Sequence, residues 1–201
     1  MFKKKNKFFF ILTFLMVLII VLSNYLVQFP INYMGLQDVL TYGAFSYPIA
    51  FLITDLSNRK YGKNIAKQIV YFGFVLGVIF TFYFSTNYSD VISIRIAIGS
   101  GSAFLIAQLI DVNIFDKLRK KTWFVAPLTS SLIGSSVDTF LFFSISFYGT
   151  GINWLTLSFG DLTVKIFVAL TMLIPFRLLL SHVKEISVIK KKSVHSFFVF
   201  F

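Results

Sequence analysis

The chain alternates between six long apolar segments and short polar ones. Each apolar segment is close to 20 residues long, and none shows the sustained apolar–polar alternation typical of a strand. A helix needs about 20 residues to cross the hydrocarbon core of a membrane, whereas a barrel strand needs only about 9–11. The pattern therefore predicts an all-α polytopic membrane helix bundle with six transmembrane helices. The predicted spans are residues 8–29, 39–56, 65–84, 92–115, 123–147 and 157–180, followed by a tail over 181–201.

Composition favours a single membrane domain over residues 1–201. Hydrophobic residues fill 57% of the 201 positions and charged residues 13%, against about 45–50% and 25% in soluble domains. Six spans leave roughly 80 residues for loops and ends, too few for a sizeable soluble domain. The first apolar segment follows four lysines, as a signal peptide would. It is nevertheless longer than a signal core and no small-x-small cleavage site follows, so we interpret it as a retained span.

The formal net charge of +11 could indicate a nucleic-acid partner, but the positions of the basic residues argue against it. Of the 19 lysines and arginines, 17 fall in four clusters on alternate sides of the predicted spans. By the positive-inside rule, this pattern predicts that both termini are cytoplasmic and that the basic face meets anionic lipid. The clusters lie within residues 3–7, 59–67, 117–121 and 177–192.

The sequence lacks the motifs of several kinds of chemistry. With no cysteine there is no disulfide and no thiolate site, and His182 and His195 stand apart from other metal ligands. No Walker or dinucleotide glycine motif and no nucleophile–base pair is present. We therefore predict no enzyme, no catalytic or metal-binding residue and no cofactor.

The informative charges lie inside the predicted spans. An ionisable group there costs about 2.5–3.5 kcal/mol on insertion scales, so it usually faces the bundle interior with a partner or a task. Asp138 and Lys165 fall at nearly the same predicted depth, on the outer side of the midplane, and could form an ion pair. Asp161 precedes Lys165 by one helical turn and is the competing partner. Arg95 lies near the outer end of its span, where it can snorkel to the interface.

Other polar residues share helical faces with these charges. Ser131, Ser135 and Asp138 are spaced four and three apart, so they predict one polar face of span five, although the serines could equally serve helix packing. Gln108 and Asp111 are three apart on span four. A further set of features belongs to span two. There Asp55 ends the span and could simply pair with Arg59 one turn on, and Pro48 suggests a kink or a break. Ala50–Ile53 repeats as Ala103–Ile106, which puts Asp55 and Gln108 at matching depths.

These residues lie within motifs that resemble the queuosine precursor transporter family, also called the vitamin uptake transporter family, of bacterial inner-membrane proteins. The resemblance covers roughly residues 35–180 in order. It rests on Thr41–Ala44, Ala50–Gly62, Arg95–Ile98, Ala103–Asp111, Ile114–Phe115, Trp123, Ala126–Leu128, Ser130–Ser135, Asp138–Thr139, Phe142–Phe143, Lys165 and Pro175–Arg177.

The resemblance implies uptake of a 7-deazaguanine, such as 7-cyano-7-deazaguanine, through the bacterial inner membrane for salvage into tRNA modification. A buried carboxylate can accept the paired N–H donors of a guanine-like edge, a glutamine can donate and accept, and the flat ring can stack on aromatic side chains. We expect a small 7-deazapurine as the partner. We assign Asp138, Gln108 and Asp111 to the polar lining, with Ser131 and Ser135 on the same face of span five as Asp138. Lys165 is either the partner of Asp138 or a donor to a carbonyl of the substrate. Asp55 and Arg95 are gate or support residues.

Other functions remain open from the sequence. A substrate-binding subunit of an energy-coupling-factor vitamin importer has a similar size and number of spans. A structural membrane protein could carry buried pairs for folding alone, and an intramembrane enzyme is the least favoured. Homo-oligomer formation and the form of energy coupling are left open. The aromatic end of the tail is interpreted as an interfacial anchor or a disordered end.

Overall fold

The computed structural model describes residues 2–26, 29, 31–33, 40–84 and 91–180, and the regular elements in this part of the chain are six α-helices. The all-helical bundle that the apolar segments predict is confirmed, whereas the prediction for the tail over 181–201 lies outside the described residues. The helices are α1 (Phe2–Leu26), α2 (Gly43–Tyr61), α3 (Lys63–Phe84), α4 (Val91–Leu118), α5 (Val125–Phe147) and α6 (Trp154–Leu180).

The second helix differs from its prediction in two ways. It continues to Tyr61, beyond the predicted end of the span at residue 56, and Gly62 alone separates α2 from α3. Gly62 has φ +88°, a conformation that glycine adopts without a steric penalty. Its N–H donates to the Asn58 carbonyl oxygen and so ends the helix. The helix also runs unbroken through the buried Pro48, so the break that Pro48 suggested does not occur.

Helix α2 is the centre of the bundle and contacts each of the other five helices. The five others are long and apolar enough to cross a membrane, and α2 is not among them. At 1.5 Å per residue its 19 residues still extend about 28 Å, enough for the hydrocarbon core. Twelve of these residues are buried against protein. Because neighbouring helices rather than lipid surround it, α2 can carry polar residues that a lipid-facing helix could not.

Helices α2 and α4 lie side by side and run in the same direction. Three side-chain contacts join them at a nearly constant sequence offset, which only parallel neighbours can produce. These contacts are Tyr47 to Ser100, Thr54 to Gln108 and Asn58 to the Val112 carbonyl oxygen. The matching depth that the repeated Ala–Phe–Leu–Ile segment predicted for these two spans is therefore confirmed.

Helices α2, α4 and α5 meet closely at Gly134. A Cβ at this position would lie 2.6 Å from a ring carbon of Phe51 and 3.4 Å from the Ala107 carbonyl oxygen. A small residue is needed here because the ring and the backbone occupy the space of any side chain. The packing role expected for small residues of span five is confirmed at this position.

The outer faces of the bundle are strongly apolar. Large hydrophobic side chains are exposed along one side of α1, α3 and α6, the arrangement that contact with lipid tails requires. With five spans of sufficient apolarity around α2, the chain is a multi-pass membrane protein. Examples of these exposed side chains are Phe10, Phe14, Leu18, Phe72, Ile79, Phe167, Ile174 and Leu178.

Candidate functional site

A cavity of about 640 Å³ opens between α2, α4, α5 and α6. It lies at the end of the bundle where α2 and α6 begin and α5 ends. The volume lies within the range typical of small-molecule sites. Its walls are mainly apolar, and its polar side chains gather toward the bundle interior. The main apolar residues are Ile96, Phe142, Phe143, Phe147, Ile152 and Leu157, and the polar ones include Tyr47, Ser100, Asp138, Asp161 and Lys165.

Lys165 lies at the centre of the polar group. Its Nζ donates to Asp138 Oδ2 at 2.8 Å, to Asp161 Oδ2 at 2.6 Å and to Thr139 Oγ1 at 3.1 Å. Thr139 in turn donates to Asp161 Oδ2 at 2.8 Å. The expected ion pair between Asp138 and Lys165 is present, and Asp161 is a second partner rather than a competitor. The group joins α5 to α6, and all four side chains are buried.

This group carries more negative than positive charge. Two carboxylates surround one ammonium, and both of them use Oδ2 for the bonds to Lys165. Within the described part of the chain, Oδ1 of Asp138 and Oδ1 of Asp161 accept no hydrogen bond. Both residues line the cavity, so each can offer an acceptor to a bound molecule. The arrangement suits a neutral or cationic ligand with N–H donors.

Tyr47 and Ser100 extend the polar lining, and neither is among the site residues predicted from the sequence. The Tyr47 hydroxyl lies 2.7 Å from Ser100 Oγ and donates to Asn24 Oδ1 at 3.1 Å, which joins α1, α2 and α4. The Lys165 ammonium lies 5.4 Å from the centre of the Tyr47 ring, within the range of a cation–π contact. Asp161 is the partner that the sequence places one turn before Lys165, and Thr139 follows Asp138 directly in the chain.

A second polar cluster lies deeper, where α2, α4 and α5 meet. The Asp55 carboxylate accepts hydrogen bonds from Ser130 at 3.3 Å and Ser131 at 3.5 Å. Asp111 lies beside Asp55 and Ser130 and is fully buried. Gln108, one turn before Asp111, accepts a hydrogen bond from Thr54 through Oε1. The predicted site residues therefore form two groups, since Asp138 and Lys165 line the cavity while Asp55, Gln108, Asp111, Ser131 and Ser135 do not.

Several atoms of the second cluster lack hydrogen-bond partners among the described residues. They are both carboxylate oxygens of Asp111, Nε2 of Gln108 and Oγ of Ser135, and all three residues are completely buried. An unpaired buried polar atom costs about 1–3 kcal/mol. This cluster is therefore poorly suited to stabilising the fold.

Arg95 lies apart from both groups and binds the end of α5. Its Nε donates to the Ile145 carbonyl oxygen at 3.0 Å and its NH2 group to the Tyr148 carbonyl oxygen at 2.8 Å. The last carbonyl groups of a helix have no partner within the helix, and a cation there also interacts favourably with the helix dipole. Of the two roles expected for Arg95, gate or support, the geometry agrees with support of the cavity wall.

Comparisons with known proteins agree with the resemblance in the sequence. The family described as "putative vitamin uptake transporter" matches residues 41–180, a range that contains all of the predicted site residues. A probable queuosine precursor transporter of Haemophilus influenzae is 34% identical over 82% of each chain. The queuosine precursor transporter of Escherichia coli is 29% identical over 86% of each chain. No solved structure matches the chain.

We expect Lys165→Met to destabilise the protein by about 3–5 kcal/mol, because two buried carboxylates would then lie together without a cation. Asp161→Asn should cost much less, since one ammonium and one carboxylate remain. Lys117→Met is the matched control, because Lys117 is an exposed lysine on α4. Thermal unfolding of the detergent-purified variants measures the difference. A Lys165→Met protein as stable as Lys117→Met would contradict the role given to Lys165.

Proposed function

Because the chain belongs to the putative vitamin uptake transporter family, we propose that it imports a queuosine precursor, a 7-deazaguanine, into the bacterial cell. The observation that carries the proposal is the cavity next to Lys165, where each of two carboxylates has one oxygen that accepts no hydrogen bond from the described residues. The names of the similar proteins support the same substrate class. The substrate crosses the membrane without chemical change, and no catalytic residue is assigned.

The chemistry of a 7-deazaguanine fits the polar part of the cavity. Its guanine-like edge carries adjacent N–H donors, which a carboxylate can accept in a paired arrangement. We assign this contact to Asp138, with Asp161 as the second acceptor. Lys165 keeps Asp138 ionised and oriented, and its ammonium is positioned to read the ring carbonyl.

The apolar part of the cavity fits the flat ring. Phe142, Phe143 and Phe147 form one wall, with their ring centres 5.0–6.3 Å from one another. An aromatic wall stabilises a planar heterocycle by stacking and by excluding water. The hydroxyl groups of Tyr47 and Ser100 supply further polar contacts that can distinguish substituents on the ring.

The distribution of basic residues suggests the orientation of the transporter. Lys117 and Arg119 lie at the end of α4, and Lys63 and Lys67 lie at the start of α3, all at the end of the bundle opposite the cavity. By the positive-inside rule this end is cytoplasmic. We therefore propose that the protein lies in the inner membrane with its cavity open to the periplasm, ready to receive substrate from outside.

Uptake in cells tests the transport role. In a strain that lacks both precursor synthesis and its own importer, the chain should restore queuosine in tRNA when 7-cyano-7-deazaguanine is supplied. Asp138→Asn and Lys165→Ala should reduce initial uptake about tenfold or more, because a hydrogen bond to a charged group contributes about 1.5–3 kcal/mol. Asp116→Asn is the matched control, because Asp116 pairs with Arg119 away from the cavity.

The uptake measurement has a clear contrary result. Rates are compared at equal amounts of membrane-inserted protein, so that a folding defect is not read as a transport defect. Wild-type rates in both cavity variants would remove Asp138 and Lys165 from the mechanism. No uptake by the inserted wild-type chain would contradict the proposed function itself.

The orientation is tested by labelling, which is simple because the chain has no native cysteine. In cells with a permeabilised outer membrane, a membrane-impermeant maleimide should label Asn153→Cys at the cavity mouth and not Lys120→Cys at the opposite end. Both positions are exposed, so accessibility alone does not decide the result. Labelling of Lys120→Cys and not of Asn153→Cys would reverse the proposed orientation.

A further inference from the structure

The buried pair of Asp55 and Asp111 has no part in the cavity, and its surroundings are unusual for a structural contact. Asp55 is 2% exposed and Asp111 is 0% exposed, and the two carboxyl groups are neighbours across the contact between α2 and α4. The hydrogen bonds that Asp55 accepts from Ser130 and Ser131 are long, at 3.3 and 3.5 Å. Asp111 lies beside Ser130 and Asp55 but has no well-formed hydrogen bond to a described residue.

No described basic side chain neutralises the pair. The titratable group that faces each carboxyl is the other carboxyl. The other charged side chains in the described part of the chain lie toward the two ends of the bundle, and α1 carries none between residues 8 and 26. Those toward the basic end are Arg59, Lys60, Lys63, Lys67, Asp116, Lys117, Arg119 and Arg177, and those toward the cavity end are Arg95, Asp138, Asp161 and Lys165. The nearest basic residue along α2 is Arg59, one helical turn beyond Asp55, and it donates to the Arg119 carbonyl oxygen.

Electrostatic repulsion within the pair favours a proton shared between the two carboxyl groups. Two ionised carboxylates side by side repel each other, and burial removes the water that would screen them. One carboxyl that keeps its proton relieves the repulsion and can donate a hydrogen bond to the other. Such an arrangement is suited to binding one proton.

The pair is close enough to the cavity to act on it through shared helices. Asp55 lies two turns beyond Tyr47 on α2, and Ser131 lies seven residues, or about 10 Å, from Asp138 on α5. Ser135 lies between them, and among the described residues neither its hydroxyl nor Nε2 of Gln108, one turn from Asp111, has a hydrogen-bond partner. These buried groups are available to form hydrogen bonds when the charge of the pair changes.

We propose that the Asp55–Asp111 pair binds the proton that couples substrate import to the transmembrane proton gradient. This inference rests on the proposed function, since it assigns the energy source of the same transporter. The pair takes up a proton from the outer side together with substrate in the cavity. Return to the outward-open state follows release of both on the inner side. In this cycle Asp55 and Asp111 bind the proton and do not contact the substrate.

The test uses the purified full-length protein in liposomes with labelled 7-cyano-7-deazaguanine. An inward proton gradient of about one pH unit should drive about tenfold accumulation if one proton accompanies each substrate. In lightly buffered liposomes with an internal pH dye, addition of substrate should acidify the interior. Counterflow, the exchange of labelled for unlabelled substrate without a gradient, is measured in parallel as a readout of translocation alone.

The variants separate coupling from folding and from transport. Asp111→Asn should lose the gradient-driven accumulation and the acidification while it keeps counterflow. Asp116→Asn, five residues along the same helix, should behave as wild type. If Asp111→Asn does not fold, Asp55→Asn and the dye measurement on the wild-type protein give the same decision.

Each result supports or overturns a defined statement. Wild-type counterflow without a response to the pH gradient, or accumulation driven by a sodium gradient instead, overturns the proton site and leaves the proposed function standing. Full accumulation by Asp111→Asn also overturns it. Absence of counterflow by correctly folded wild-type protein overturns the proposed function, and the coupling inference with it.

Discussion

The two salt bridges that Lys165 forms with Asp138 and Asp161 are the interaction on which the rest of the site depends. A lysine inside a membrane bundle is costly unless carboxylates neutralise it, and two carboxylates without the lysine would repel each other. Because each charge requires the others for neutralisation, the salt bridges hold α5 against α6. It also turns one oxygen of each carboxylate away from Lys165. The acceptors that the proposed substrate requires are thus a consequence of how the charge is stabilised.

The position of α2 explains how the bundle tolerates so many polar groups. Five apolar helices surround it, so Tyr47, Thr54 and Asp55 face protein rather than lipid. Tyr47 reaches the cavity and Asp55 reaches the deeper cluster, so one helix takes part in both polar sites. A movement of α2 against α4 or α5 would change both at once. This shared helix would be the physical link between the proposed substrate site and the proposed proton site.

Much of the fold could be predicted from sequence, because the length of each apolar segment and the positions of the charged residues can be taken directly from the chain. The six spans and the pairing of Asp138 with Lys165 follow from apolar length and equal depth. The separation into two polar sites could not be predicted, since depth does not reveal which helices are neighbours around the bundle. Gln108 and Asp111 were therefore grouped with Asp138, although they face α2. Tyr47 carried no signal, because a tyrosine in an aromatic-rich chain is unremarkable until its hydroxyl partners are known.

The central claim is that the cavity carboxylates accept hydrogen bonds from the N–H donors of the base. The most direct test is to compare the binding of two ligands, with and without one of these donors, to the purified protein. Calorimetry would compare 7-cyano-7-deazaguanine with the same ring lacking the exocyclic amine. The account predicts binding about tenfold or more weaker for the analogue, because a hydrogen bond to an ionised carboxylate is lost. It also predicts that Asp138→Asn removes most of this preference. Equal affinity of the wild-type protein for both ligands would contradict the account.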